Sequence, residues 1–360
     1  IYVSFFGKKY LYVSYLYGFY ILFIQSVVVS LFSNNITNLV VISDFNQNYI
    51  FFKNFPISLI FNYLTVSFSC TTIQIAFFVN IFSIFYFINE QKFIKFFILL
   101  NFFVFSMVLL LHTNNFILLF LFWECIGITS YFLINFFELK TIVFKSAFKA
   151  FSFNRVSDVG ILAALILYYS TIESFELSEI NFMLFFSKNM YYNYFFFKIS
   201  NLDLFLFFLC IAICCKSAQL GLHFWLPDSM EAPAPASALI HSATLVSAGV
   251  FLILKFLPLF KFSYFFSQSL MCIGTLTCLF GSLVSCIQTD IKRLLAYSTI
   301  GNCGLLIYSS IMLNSEITIL FFKLHGFFKS LSFLFIGYLI LKYQHLQDLR
   351  YIGNILLYEK

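Results

Sequence analysis

Of 360 residues, 61% are hydrophobic and 10% charged, whereas about a quarter of a soluble chain is charged. That excludes a water-soluble enzyme and predicts one integral membrane unit, with the lipid bilayer as its first partner. The formal charge of +6 is scattered between apolar runs with no basic face in water, so no nucleic-acid partner is expected.

Ten apolar spans follow in chain order, at 10–32, 57–88, 93–112, 114–137, 142–170, 204–222, 236–257, 266–288, 293–312 and 316–341. Each is near or above the ~20 residues that cross ~30 Å of hydrocarbon, which predicts an all-α bundle of about ten transmembrane helices. The 57–88 span is long enough to tilt or to extend beyond the bilayer. With ten crossings, Lys8, Lys9, Lys92, Lys95, Lys140, Lys145, Lys149, Lys292, Arg293, Lys342 and Arg350 share one side. Lys53, Lys188, Lys198, Lys255 and Lys261 lie opposite, with Glu173, Glu176, Glu179 and Asp203. The excess of cations puts the first set and the N-terminus on the side of synthesis.

Nine cysteines contain no C-x-x-C pair and mostly fall inside apolar spans, so they read as small hydrophobes and not as metal or iron–sulfur ligands. No Gly-rich phosphate loop occurs, and no cofactor is expected.

The informative residues are ionisable groups inside the spans. Glu124 lies within 114–137, where a bare carboxylate must meet a cation or water, or carry a proton. Arg155 and Asp158 are three apart in 142–170, share a helix face and can neutralise one another. Lys216 sits in an apolar run, directly before the break Leu226-Pro227-Asp228-Ser229-Met230-Glu231-Ala232-Pro233-Ala234-Pro235. A cation in hydrocarbon costs at least ~2.5–3.5 kcal/mol unless paired, hydrated or able to lose its proton. Irregular backbone at membrane depth survives only where protein or a water-filled cavity covers it. A lysine beside a broken helix therefore reads as part of an ion or proton path. His241 opens the next span, and His325 and Lys329, four apart, share one face with Lys323 off it.

Phe122-Trp123-Glu124-Cys125-Ile126-Gly127, Asn154-Arg155-Val156-Ser157-Asp158, Lys216-Ser217-Ala218-Gln219 and Trp225-Leu226-Pro227-Asp228-Ser229-Met230-Glu231-Ala232-Pro233 resemble mitochondrial NADH dehydrogenase subunit 5. So do Ser237-Ala238-Leu239-Ile240-His241, Gln288-Thr289-Asp290-Ile291-Lys292-Arg293-Leu294-Leu295-Ala296-Tyr297-Ser298-Thr299 and Gln347-Asp348-Leu349-Arg350. The resemblance runs from about residue 57 to the C-terminus and is most specific over 216–249.

It implies an antiporter-like, inverted-repeat bundle with a discontinuous helix after Lys216. This would be a proton-pumping membrane-arm subunit of respiratory complex I with no redox centre of its own. Glu124 would pair with Lys216, Asp158 would modulate that pair, and His241, His325 and Lys329 would carry the proton onward. The other membrane-arm subunits would be its partners. Its 56 Phe and 22 Tyr, with Arg155, Arg293 and Arg350 as the only arginines, suit an AT-rich organelle genome and a multi-pass protein of the mitochondrial inner membrane, N-terminus in the matrix. Residues 1–56 form a poorly matched N-terminal part, 57–257 hold the first repeat, and 258–360 begin a second repeat that stops before its own broken helix. A separate chain is therefore expected to supply the C-terminal helices and the lateral helix. One departure stands out: a second relay histidine of the family falls at Phe321. Two other readings stay open, a sodium/proton antiporter subunit of the multi-subunit bacterial type and a scaffold subunit that does not pump.

Overall fold

Hydrophobic length sets the architecture, and polar capping signals set where each helix stops. The computed structural model describes residues 20–29, 39–43, 57–88, 90–186, 191–194, 197–343 and 346–351. A short apolar helix, α1 (Tyr20–Val29), comes first. Strands β1 (Leu39–Ser43) and β2 (Ile57–Phe61) pair antiparallel, with Leu39 opposite Phe61. Four long helices follow: α2 (Tyr63–Tyr86), α3 (Phe93–His112), α4 (Phe116–Ile134) and α5 (Thr141–Ile172). After α6 (Ile180–Phe186) and the hairpin β3 (Tyr191–Tyr194)–β4 (Phe197–Ser200) comes α7 (Asn201–Lys216), then the single turn α8 (Trp225–Asp228). The chain ends with α9 (Ala234–Ser242), α10 (Leu245–Lys255), α11 (Leu257–Phe262), α12 (Tyr264–Ile287), α13 (Ile291–Met312) and α14 (Ser315–Lys342).

Eight spans among the described residues are long and apolar enough to cross a bilayer, α9 and α10 counting as one. Interrupted α7 adds a ninth apolar element, and the ten residues of α1 fall within the expected 10–32 span. The expected 57–88 span divides. Its first five residues are strand β2, and α2 begins only after Asn62, whose N–H donates to Thr65 Oγ1 at 2.9 Å. That capping contact ends the extended segment inside an unbroken apolar run, which hydropathy alone does not register.

The α9–α10 span is buried along its whole length and forms the axis around which α2, α4, α7, α13 and α14 pack. Helices α12 and α13 meet along glycines. A Cβ on Gly281 would lie 2.5 Å from the Gly301 nitrogen, so the backbones touch. The opposite face of α12, with Leu276, Leu279, Leu283 and Ile287, is exposed.

Each end of the bundle is tied by its own polar contacts. At one end, Asn114 N–H donates to Ser58 O at 2.9 Å, Leu177 N–H to Asn114 O at 2.7 Å, and Lys255 Nζ to the Thr113 carbonyl. At the other, Glu138 accepts from Lys95 at 2.6 Å and faces Lys92 at 3.8 Å, while Lys149 pairs with Asp228 at 2.6 Å. Lys95 hydrogen bonding, with the charges of both lysines, holds the Glu138 carboxyl below the usual carboxylate range.

Candidate functional site

The break after Lys216 is written into the last turn of α7. Gln219 N–H bonds back to Cys214 O at 2.9 Å and Ala218 N–H to Cys215 O at 3.4 Å. Ala218 occupies the left-handed region at φ 50°. These are the paired bonds of a Schellman ending, with alanine where glycine is normal. Trp225 Nε1 donates to Cys215 O at 3.0 Å and Ser217 Oγ to Ile213 O at 2.6 Å. The carbonyls freed by the break are thus satisfied within the protein, as membrane depth requires.

Lys216 is 1% exposed. Its Nζ donates to the Trp123 carbonyl at 3.3 Å and stands 5.1 Å from the Trp123 ring centroid, a cation–π contact. Gly127 makes the space: a Cβ there would sit 3.3 Å from Nζ. The Trp123 indole N–H is anchored to Ser157 Oγ at 3.1 Å, and that hydroxyl donates to Ala212 O at 3.1 Å. Helices α4, α5 and α7 are locked together around the amine.

Glu124, expected to meet Lys216 directly or through one water, makes its direct ion pair with Arg155. Glu124 Oε1 accepts from Arg155 Nη1 at 3.1 Å, and the same nitrogen lies 3.5 Å from Asp158 Oδ2. Arg155 and Asp158 do neutralise one another across one helical turn. The reason for the change is rotational. Arg155 reaches from α5 across to α4 and takes the carboxylate at a partly exposed position, whereas Lys216 points to the buried side. Asp158 is 5% exposed, and its Oδ1 has no hydrogen-bond partner among the described residues.

His241 is wholly buried, its Nε2 3.0 Å from Ser229 Oγ. Ser229 Oγ also contacts the Leu226 carbonyl. Nδ1 has no hydrogen-bond partner among the described residues. Three residues further on, the helix is interrupted again: Thr244 has ψ −90° and its Oγ1 donates to Leu239 O at 2.8 Å. His325 and Lys329 are both buried on one face of α14, as the spacing predicts. Both His325 ring nitrogens lack a hydrogen-bond partner among the described residues, and Lys329 Nζ donates to Ser298 Oγ at 2.6 Å. Phe321 is half-buried and packs against the apolar core, while Lys323 lies 6.0 Å from the Tyr63 ring.

Lys216, His241 and the α14 pair are not in direct contact. Trp225 lies between α7 and His241, with its ring centroid 6.3 Å from the imidazole, and Phe333 stands 6.0 Å beyond. Of two lysines assigned to opposite sides by their span-end positions, Lys292 is buried and Lys255 half-buried. Lys292 donates to Met230 O at 3.2 Å and Ala232 O at 3.1 Å, and Lys255 bonds the end of α3. Their sequence positions carried no sign of this. Gln219, which immediately follows the strained Ala218, was the discoverable signal for the role of the turn. Among the described residues no three His, Cys, Asp or Glu side chains converge to hold a metal ion.

A long-helix bundle with an interrupted helix, a buried lysine at the break and further buried bases along its axis defines an antiporter-like membrane protein. The chain belongs to the NADH:quinone oxidoreductase/Mrp antiporter transmembrane family, whose model matches residues 113–359. Relatives include NADH-ubiquinone oxidoreductase chain 5 of Paramecium tetraurelia, 45% identical over 298 residues, 81% of this chain and 51% of the relative. The Chondrus crispus protein of the same name is 39% identical over 82% of this chain and 45% of its own length. NADH-quinone oxidoreductase subunit L of Rickettsia typhi is 37% identical over 80% and 44%. The chain thus spans about half the length of these curated relatives. A chain of the Mrp complex from Dietzia sp. DQ12-45-1b shares the fold at TM-score 0.76 and 23% identity, over 89% of this chain and 34% of that one.

Proposed function

We propose that this chain carries protons through the membrane arm of respiratory complex I, coupled to NADH:ubiquinone oxidoreduction, as a multi-pass protein of the mitochondrial inner membrane with its N-terminus in the matrix. One observation carries the reading: the fully buried Lys216 amine at a helix break, held by a carbonyl and an aromatic face, with no carboxylate within ion-pair distance among the described residues. An ammonium so placed is under-compensated, which favours exchange of its proton over permanent charge. In this reading Arg155 and Lys216 share the field of Asp158 and Glu124. When Arg155 holds Glu124, Lys216 is disposed to release its proton; when Glu124 swings toward Lys216, the ammonium is retained. His241 Nδ1 accepts next and passes the proton through water to His325 and Lys329. Trp225 and Phe333 are the ring neighbours of His241, and water carries the proton where no direct contact does.

The experiment is Lys216→Ala in membranes carrying the assembled complex. Proton pumping and NADH:quinone turnover fall, while NADH oxidation by artificial acceptors stays at the wild-type level. Wild-type pumping in that variant would refute the carrier role and leave the non-pumping scaffold. Proton uptake driven by a sodium gradient and insensitive to a complex I inhibitor would instead establish the sodium/proton antiporter. Other membrane-arm subunits are the proposed partners. Leu320, Leu324, Phe328, Leu331 and Phe335 form an exposed apolar strip on α14, and we assign it to a transmembrane helix of another membrane-arm segment packing there. Cross-linking from Leu324→Cys tests this; capture of lipid alone or of an unrelated subunit refutes it.

A further inference from the structure

The turn that positions Lys216 does not hold its shape unaided. Ala218 at φ 50° is a left-handed alanine, a conformation that L-residues other than glycine avoid. Its neighbour Gln219 is wholly buried, and both ends of its amide are engaged. Nε2 donates to Ser217 O at 3.0 Å, and Oε1 accepts from Thr277 Oγ1 at 2.8 Å. Flipping that amide would set two oxygens against each other at Ser217, so the orientation is fixed by the bonds themselves.

Thr277 belongs to α12, a different part of the bundle. It is 0% exposed, and its hydroxyl also reaches Gly274 O at 2.8 Å. A Cβ on Gly304 of α13 would occupy the place of that hydroxyl. Gly249 of α10 likewise leaves room for Ser217, where a Cβ would lie 3.1 Å from Ser217 Cβ. A second contact between the break and α12 is the ring of His223, 4.8 Å from Phe280. Helix α12 has most of its surface outside the bundle, so its position answers to whatever adjoins it.

We propose that Thr277 is a positioning residue for proton transfer at Lys216, acting through Gln219 on the turn that ends α7. A displacement of α12 pulls on Gln219, releases Ala218 from the left-handed region and lets the last turn of α7 rotate the Lys216 amine away from Trp123. The second half of the fold thereby sets whether the first half can exchange its proton. This inference rests on the reading of Lys216 as the proton carrier.

The test compares Thr277→Val, which keeps the volume and removes the hydroxyl, with Thr277→Ser, which keeps the hydroxyl, in the assembled complex. Thr277→Val is expected to slow coupled NADH:quinone turnover about fivefold, the size of one neutral hydrogen bond, and to displace its pH profile. Artificial-acceptor activity and the KM for NADH stay unchanged, and Thr277→Ser restores both rate and profile. Adding Ala218→Gly to Thr277→Val restores most of the rate, because glycine holds the left-handed turn without support. A wild-type pH profile in Thr277→Val, or no recovery with Ala218→Gly, overturns the inference. Should Thr277→Val fail to accumulate, Thr277→Cys, with a weaker donor in nearly the same volume, reads the same displacement. Lys216→Ala run alongside separates the failures. If it stops pumping while Thr277→Val is silent, the positioning role alone falls; if it pumps normally, both readings fall.

Discussion

Lys292→Met should loosen the segment that follows the helix break, and its size can be worked from the geometry. Lys292 is 6% exposed and its ammonium bonds Met230 O at 3.2 Å and Ala232 O at 3.1 Å. Those carbonyls belong to the 3-10 turn Ser229–Glu231 and its cap, just ahead of α9. Two carbonyls left without a donor cost about 1–3 kcal/mol each. Removing the desolvated ammonium returns part of that, and methionine fills nearly the same volume, so no large cavity opens. The net loss is about 2 kcal/mol, which corresponds to roughly thirtyfold faster amide exchange if the segment opens locally. Hydrogen exchange of the amides from Met230 to Ser237 in the detergent-solubilised complex measures this directly, with α5 as the internal reference. Unchanged exchange there would show that the two bonds hold nothing, and the clamp would have to be abandoned.

Gly127→Ala places a methyl 3.3 Å from Lys216 Nζ; the flexible amine yields by a few tenths of an ångström, so the complex assembles normally but pumping falls several-fold. Native-gel assembly and proton flux, measured together, check it, and equal flux would remove Gly127 from the site. At the charged end of the bundle, the Glu138 carboxyl is held low by its Lys95 hydrogen bond and the nearby lysines. A depressed carboxylate contributes fully above the unfolded value near ~4.3 and loses its contribution as pH falls through the folded value. Thermal stability between neutral pH and pH 3 should therefore fall less steeply in Glu138→Gln than in the parent chain, with the difference confined to the acid limb. Identical acid limbs would assign the contact no role.

Helix periodicity carried much of the site. The i,i+3 spacing of Arg155 and Asp158 and the i,i+4 spacing of His325 and Lys329 each define a face by local geometry, and both faces are as spaced. That a helix is broken beyond Lys216 was legible from the proline-rich segment 226–235, but α7 stops earlier, at the Ala218 turn inside the expected 204–222 span. What could not be read is rotation between helices. Whether Glu124 meets Arg155 or Lys216 depends on how α4, α5 and α7 are turned about their axes, and no local pattern encodes that. Lys255 and Lys292 illustrate the opposite failure. Charges at span ends are counted as solvated on average, yet both reach inward to backbone carbonyls freed by helix ends. Strand β2 was hidden because β-branched apolar residues satisfy a hydropathy window as well as a helix does.

The glycine seam between α12 and α13 bears on how such a gene can drift. The chain is rich in phenylalanine and tyrosine, with 56 and 22 of them, and a lipid-facing Phe for Leu exchange changes little in hydrocarbon. Glycine codons begin with two guanines, so pressure toward A and T bears on them especially hard, and every replacement adds at least a Cβ. At Gly281 that atom would press on the Gly301 backbone at 2.5 Å, and backbone, unlike a side-chain tip, cannot swing aside. The seam is thus a stretch where base composition and protein geometry pull in opposite directions. Nucleotide bias can repaint the outside of the bundle freely, but it must stop where two backbones touch.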